Sequence, residues 1–431
     1  MVSDTSRYAR SIEQLVRAEK TIPLGAQTYS KSRGTFPPGI APIYGDRAEG
    51  CRIWDVDGHE YVDLVNALAS VTLGYGDPEI TAAVIEQLSR GVTISLTHPI
   101  EAVVAEKLVD MVPSAEMVRF GKNGSDATSA AVRVARGFTG RDHVITCGYH
   151  GWHDWTIASM DSRNLGVPGA VKELVHAVPF NDLDAVEQVL RATPTAAIVL
   201  EPMNVVFPKP GYLEGLRALA DRYGAILVFD EMITGFRFAK GGAQEYFGVT
   251  PDLSTFGKGL ANGYPVSAVA GRRDLMMLLE RVFFSGTFSG ELLSLTAANV
   301  VLDRIANTDA IETLYRNGET VRDRAQAAID ALEMNDVVSL SGHPTWTFLV
   351  WNPELGEQLD LLKVLFMQEM SRSGVLMIAT HNVSAAHDDA AFDTIGAAYS
   401  HALGVVKLAI ESGDPHGFLD AEVTTLAKSV R

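Results

Sequence analysis

Residues 8–20 place apolar side chains at three- and four-residue intervals and read as an amphipathic helix. Pro23, Gly25, Gly34, Pro37, Pro38 and Pro42 then mark an irregular arm reaching to about residue 49. The stretch CRIWDVDGHEYVDLV (51–65) alternates apolar and polar positions on both sides of Asp57-Gly58, a hairpin signal, and predicts a small antiparallel element. From about residue 77 the pattern changes to long amphipathic helices separated by short apolar runs: MVRF (117–120), VITC (144–147), AAIVLEP (196–202), AILVFDEM (225–232) and VSAVAG (266–271). A strand covered on both faces needs such an unbroken run, so the pattern predicts an α/β core with a mostly parallel sheet. Beyond about residue 310 come a helix, the strand-like VVSLSGHPTWTFLVW, a helix near 359–373, GVLMIAT and a final helix near 389–411. The expected organisation is a large α/β domain over 76–308. A smaller α+β domain joins an N-terminal arm and small-domain part (1–75) to the C-terminus (309–431).

Composition narrows the function classes. The 431 residues carry 36 Lys+Arg against 53 Asp+Glu, a net charge of −17 with no basic block, which disfavours a nucleic-acid backbone or an anionic membrane as partner. Two cysteines, Cys51 and Cys147, lie far apart without zinc-ligand spacing, which fits a reducing compartment. No apolar run long enough to span a bilayer occurs and the N-terminus has no signal-peptide core, so a cytoplasmic location is expected.

In an open α/β sheet ligands collect at the carboxyl ends of the strands, so the polar residues ending each apolar run are candidates. Gly124 and Ser125 precede the helical segment ATSAAVRVAR, where backbone N–H groups and the helix dipole suit an anion such as phosphate; the plainer alternative is a helix cap by Ser125 or Asp126. Tyr149, in GYHGWHDW, either stacks on a flat heterocycle or packs in the interior. His150 and His153 beside it lack a third ligand, and no metal is expected. Glu201 follows AAIVL. Asp230 ends a buried run and needs a partner for its carboxylate, either a bound group or a salt bridge. Lys258 stands between Gly257 and Gly259, 28 residues after Asp230, about one βα unit, so both reach one crevice unless the lysine is simply solvated. The pair suggests pyridoxal 5′-phosphate, with Lys258 forming a Schiff base and Asp230 keeping the pyridine nitrogen protonated.

These residues sit in stretches that resemble the class III, fold type I pyridoxal-phosphate aminotransferases, and within them the branch of glutamate-1-semialdehyde 2,1-aminomutase. The stretches are WDVDGHEYVDLV, VRFGKNGSDATSAAVRVARGFTGRD, GYHGWHDW, Glu201-Pro202, FSGTFSG and the long LVFDEMITGFRFAKGGAQEYFGVTPDLSTFGKGLANGYPVSAVAGRRDLM. The resemblance implies that Lys258 is the Schiff-base lysine and proton shuttle, Asp230 the ring-nitrogen partner and Tyr149 the stacking aromatic. Gly124 and Ser125 then hold the phosphate, with His150 and Glu201 completing the cofactor pocket. Thr287 matches a threonine that reaches the phosphate from a second subunit, which implies a homodimer with shared sites. Pyridoxamine 5′-phosphate is the implied intermediate form of the cofactor.

Four features depart from the mutase pattern. The segment after the tyrosine motif, ASMDSRNLGVPGAVKEL, is short; Ser289-Gly290-Glu291-Leu292 replaces SGNP; the C-terminal IATHNVSAAHDD has no glutamate at the mutase position; and the arm GAQTYSKSRGTF offers only Lys31 or Arg33 for a substrate carboxylate. Such arms and HN-x-S-x-AH segments resemble a sub-branch that aminates keto-sugars or cyclic polyhydroxy ketones for surface polysaccharides and secondary metabolites. The implied activity is a ping-pong transamination from an amino-acid donor, L-glutamate, to a small carbonyl acceptor. An intramolecular aminomutase is the alternative, and a cofactor-binding but silent paralogue a third reading. Lys31, Arg33, Glu291 and Asn382 are the candidate substrate contacts, with Tyr29, His98 and Trp152 as further neighbours.

Overall fold

The computed structural model describes residues 7–160 and 163–421; the ends of the expected small domain and two residues of the segment after the tyrosine motif lie outside that range. The chain forms two compact units: the described parts of Met1–Asp77 and Glu312–Ser429 make one, and Pro78–Ile311 makes the other.

The first unit opens with the amphipathic helix Ala9–Ala18. Its sheet contains β1 (Gly45–Glu49), β2 (Arg52–Asp55) and β3 (Glu60–Asp63), antiparallel neighbours, with β2 and β3 joined through Asp57-Gly58 as the alternation predicts. After β3 the residues Asn66, Ala67, Leu68 and Ala69 all take positive φ, between 42° and 66°. Asp63 Oδ1 fixes the entry to that left-handed stretch by accepting the N–H groups of Val65 (2.7 Å) and Asn66 (3.1 Å).

The second unit holds the large sheet, with β4 (Met117–Gly121), β5 (His143–Cys147), β6 (Val175–Ala177), β7 (Thr195–Leu200), β8 (Ile226–Asp230), β9 (Leu253–Phe256) and β10 (Ser267–Gly271) in the order β4-β10-β9-β8-β7-β5-β6. Only β10 runs against its neighbours; the other six share one direction. The β-branched runs are buried on both faces, one against helix Gly124–Thr139 and the other against helix Tyr212–Tyr223, which the amphipathic spacing of those helices anticipates. Because β4, β5, β7, β8 and β9 are parallel, the polar residues that follow them leave from one edge of the sheet. This is what positions the site.

The first unit resumes with β11 (Val338–His343), β12 (Trp346–Trp351), β13 (Val375–Leu376) and β14 (Thr380–Asn382); β13 extends the β1-β2-β3 sheet in parallel with β3, and β14 pairs with β12. Helices Leu359–Arg372 and Asp389–Ser412 pack against both sheets around Leu365, Phe366, Ile395 and Tyr399.

Candidate active site

The carboxyl end of β4 leads through Lys122 and Asn123 into helix Gly124–Thr139. Asp126 turns back to accept the N–H groups of Lys122 (2.9 Å) and Asn123 (2.7 Å), and Asn123 is the N-cap. The cap is thus built around Asn123 rather than Ser125. The N–H groups of the first helical turn have no carbonyl within the helix to bond, so Gly124 and Ser125 head a terminus suited to an anion. Ser125 is buried, and its hydroxyl oxygen accepts the N–H of Trp152 (3.2 Å). Gly151, at φ +116°, lies directly over that turn: a Cβ there would stand 2.3 Å from Ser125 Oγ.

The loop that makes this contact follows β5. Tyr149 is half-buried at its start. Gly148 before it approaches the end of β7 so closely that a Cβ would be 3.0 Å from Glu201 Oε2, and Glu201 accepts Asn204 Nδ2 (2.6 Å). His150 is buried, its ring parallel to that of Trp155 at 6.4 Å. Its Nδ1 lies 2.8 Å from Asp230 Oδ2. A carboxylate only accepts, so Nδ1 carries the proton. Nε2 is buried with no hydrogen-bond partner among the described residues.

Asp230 ends β8 at 4 % exposure. Its Oδ1 accepts Met232 N–H (3.1 Å) and, at longer range, the Thr255 hydroxyl (3.4 Å). Thr255 is the register partner of Asp230 on β9, and Lys258 follows three residues later, with φ +46°, so the two ends lie side by side. Between them the Met232 thioether fills a notch made by two glycines: its Sδ would be 2.7 Å from a Cβ on Gly257 and 3.0 Å from one on Gly124. Met232, Thr255 and Lys122 are absent from the sequence-based set. Only Met232 had a signal, its place in the turn at the carboxyl end of β8.

The other candidates are distributed differently. Thr287 is exposed in the turn Thr287–Gly290 of the same unit. Glu291, a candidate substrate contact, caps helix Leu292–Asn307 and pairs with Lys122 at 2.8 Å. Burial pushes its carboxyl up, but hydrogen bonds from Lys122, Ser294 and the Leu293 N–H outweigh that and hold it below the ordinary glutamate range. Lys31, Arg33 and Asn382 belong to the first unit. Lys31 is exposed, Arg33 is tied to Glu19 (2.5 Å), and buried Asn382 donates Nδ2 to the Val65 carbonyl (2.8 Å) while its own carbonyl accepts Asn66 Nδ2. Arg33 and Asn382 thus have structural engagements where substrate contacts were expected.

The donor set fits pyridoxal 5′-phosphate. Asp230 is a buried acceptor paired among the described residues with the His150 ring alone, so it can take a cationic ring N–H; the Gly124-Ser125 turn suits a phosphate; Lys258 follows the end of β9, beside the end of β8. No group of three or more His, Cys, Asp or Glu side chains able to hold a metal occurs among the described residues.

Comparison with known proteins places this geometry. Residues 37–384 match the family model described as "Aminotransferase class-III". The chain is 34% identical over 391 residues to a 3-aminobutyryl-CoA aminotransferase of Cloacimonas acidaminovorans, covering 88% of this chain and 93% of the relative. It is 41% identical over 328 residues to a glutamate-1-semialdehyde 2,1-aminomutase of Syntrophobacter fumaroxidans, covering 72% and 74%. Among solved structures it is similar to the pyridoxal-phosphate-bound FumI protein of Sphingopyxis sp. MTA144, with a TM-score of 0.87 at 29% identity over 95% of this chain and all of that one. The fold, the matched span and these relatives together establish the chain as a member of the class III aminotransferases, fold type I enzymes that depend on pyridoxal 5′-phosphate.

Proposed function

We propose that the chain is a ping-pong transaminase that takes an amino group from L-glutamate and gives it to a small carbonyl acceptor, a keto-sugar or cyclic polyhydroxy ketone. The observation that carries this reading is the placement of Asp230 and Lys258 at the adjacent carboxyl ends of β8 and β9. When bound, pyridoxal phosphate supplies a carbonyl that exchanges between amines and a ring that takes up the electrons of a breaking bond. Asp230 holds a proton on the ring nitrogen. His150 orients Asp230 through Oδ2 while Met232 N–H and Thr255 fix Oδ1, so the carboxylate needs no rearrangement as charge develops. Lys258 Nζ would link the cofactor to the protein and, as a free amine, would move the donor's α-proton. The Gly124-Ser125 turn binds the phosphate, and Tyr149 covers a ring face.

The mutase reading has its own support in the 41% identity to an aminomutase. It needs a cation on the arm for the substrate carboxylate, and Arg33, the arginine of that stretch, is engaged with Glu19. A point charge on Lys31 does not reproduce a bidentate clamp, which favours an acceptor without a carboxylate.

A homodimer accounts for the exposure of Leu96 (80 %), Phe283 (78 %) and Phe288 (58 %), apolar side chains of the second unit near Thr287 in sequence or in the same unit. Free, buried Cys51 and Cys147 support a reducing compartment, and we propose the cytoplasm.

The test is titration of the holoenzyme with L-glutamate. The absorption band of lysine-bound cofactor should give way to that of pyridoxamine phosphate in step with 2-oxoglutarate released, and keto-sugars should reverse the change. Lys258→Ala should lose multiple turnover. Isomerisation of an amino-aldehyde with no separate donor, together with an inert response to glutamate, would favour the mutase.

A further inference from the structure

Three segments of the second unit carry residues assigned above to the cofactor: the start of helix Gly124–Thr139, the turn at Lys258, and the loop that bears Thr287. One side chain bonds to all three neighbourhoods. Lys122, two residues before Gly124, donates from Nζ to the carbonyl of Pro265 (2.9 Å), to Glu291 Oε2 (2.8 Å) and to Ser294 Oγ (3.3 Å). Pro265 closes the stretch that begins at Lys258, and Glu291 ends the Thr287–Gly290 turn.

Glu291 completes the knot from the other side. Its carboxylate accepts the N–H groups of Leu293 (2.7 Å) and Ser294 (3.2 Å) and the Ser294 hydroxyl (2.6 Å). The two charged side chains are only 20 % and 11 % exposed, so the pair sits largely out of water. Glu291 is also one of the positions where this chain departs from the SGNP of its family, and the cation that answers it stands in the segment leading into the phosphate-binding turn.

A half-buried ion pair here does two things. It adds a side-chain tie between segments that are already neighbours through the β4-β10 pairing. It also keeps the Glu291 carboxylate neutralised in the immediate surroundings of a turn meant for a doubly charged phosphate. Removing the lysine alone leaves a largely buried carboxylate that keeps its Leu293 and Ser294 hydrogen bonds but has lost its counter-charge, whereas removing the charge of the glutamate leaves a cation beside the anion site.

We propose that Lys122 and Glu291 form a positioning clamp for the cofactor phosphate, holding the Gly124-Ser125 turn and the stretch after Lys258 in register with the loop whose Thr287 serves the partner's site, with no net charge. The clamp rests on the assignment of the phosphate to Gly124 and Ser125. Its signature is asymmetry. Lys122→Met should weaken pyridoxal phosphate binding to the apoenzyme at least tenfold, the factor that about 1.4 kcal/mol of lost interaction produces. Glu291→Gln keeps a side chain able to accept at the helix start and should bind within about threefold of wild type, though with a lower melting temperature. The double variant Lys122→Met/Glu291→Gln, which removes both charges, should recover most of the affinity lost in Lys122→Met.

The experiment is equilibrium dialysis of pyridoxal 5′-phosphate against each apoenzyme, with far-UV circular dichroism and thermal melts as folding checks. Lys122→Arg, which keeps the charge, serves in place of Lys122→Met if the latter fails to fold, and it should stay within about threefold of wild type. Binding by Lys122→Met within threefold of wild type overturns the clamp. So does equal weakening in both single variants with no recovery in the double, the pattern of a merely structural strut. Ser125→Asp distinguishes failure of the underlying assignment: if a new carboxylate in that turn leaves cofactor affinity unchanged, the phosphate does not sit there and the clamp falls with the site.

Discussion

Gly151→Ala isolates the contact between the loop after β5 and the phosphate-binding turn. Two penalties combine at this position. The residue has φ +116°, a conformation that L side chains rarely adopt, and leaving it for a neighbouring left-handed or extended one costs about 1–2 kcal/mol. The new Cβ would also stand 2.3 Å from Ser125 Oγ, 2.9 Å from Ser125 Cβ and 3.1 Å from Ser125 Cα. Rotating the serine hydroxyl away relieves only the first of those contacts. The second and third involve atoms fixed to the helix start, so the loop must withdraw or the turn must shift, at about 1–3 kcal/mol for an overpacked site. The sum is about 2–5 kcal/mol, and because the displaced atoms head the anion site, part of it should appear as lost cofactor affinity. The assay is pyridoxal phosphate binding by the apoenzyme beside a thermal melt. Gly166→Ala is the control: it also has positive φ, +87°, but nothing lies within 4 Å of its Cβ, so it should show backbone strain without loss of binding. If Gly151→Ala binds the cofactor as tightly as Gly166→Ala and melts no lower, the loop does not brace the turn and the reasoning fails.

Asp230→Asn keeps the shape of the strand end but removes the charge opposite the ring nitrogen; transamination should fall about 10²–10³-fold, the loss typical of one preorganised electrostatic partner, while cofactor is still retained, as stopped-flow single turnovers would show. Gly318→Ala, on helix Ala310–Ala331, would bring a Cβ to 2.3 Å from the Pro344 carbonyl oxygen, a backbone atom, and should destabilise the first unit by about 1–3 kcal/mol, whereas Gly404→Ala, with nothing within 4 Å, should stabilise by up to about 1 kcal/mol; paired urea titrations compare them. Burial holds His381 and His387 neutral, lowering them from 6.5 to about 3 and about 4. The unfolded chain therefore binds more protons below pH 6.5, and stability falls as pH drops from there toward 4. Between pH 7 and pH 5 each histidine removes about 2 kcal/mol. The buried Asp63 carboxyl, pushed up by desolvation, acts in the opposite sense but equally in wild type and in His387→Asn, so the difference between their two pH dependences should be one histidine's share.

How much of this was legible follows from where each physical cause lies along the chain. β5, β7 and β8 were readable because a strand covered on both faces must be an unbroken apolar run, and VITC, AAIVL and ILVF are. β1, GDRAE, is exposed along its whole length, and nothing in its composition distinguishes it from a loop; it is a strand because β2 offers it partners. The run Asn66–Ala69 contains two alanines and a leucine, good right-handed helix formers, yet it turns left-handed because Asp63 holds its first N–H groups.

The site divides in the same way. That Asp230, Lys258, Tyr149 and Gly124 lie at the carboxyl ends of the strands could be read in advance because a parallel sheet delivers the end of every strand to one edge, so position along the chain nearly determines position in space. His150 was named from the family pattern, but its role as the residue that orients Asp230 depends on an 80-residue separation closing to 2.8 Å. Lys122 had no signal at all, since its bonds span 143 residues to Pro265 and 169 to Glu291, and a lysine before a helix cap otherwise reads as a solvated side chain. Glu291 was noticed as a departure from the family pattern and as a candidate substrate contact, and nothing in the sequence pointed to its pairing with Lys122. The lesson from that pair is that a substitution which breaks a family pattern with a charge has its explanation in whatever opposite charge the fold brings to it. Here that charge is Lys122, in the segment that leads into the turn proposed for the phosphate.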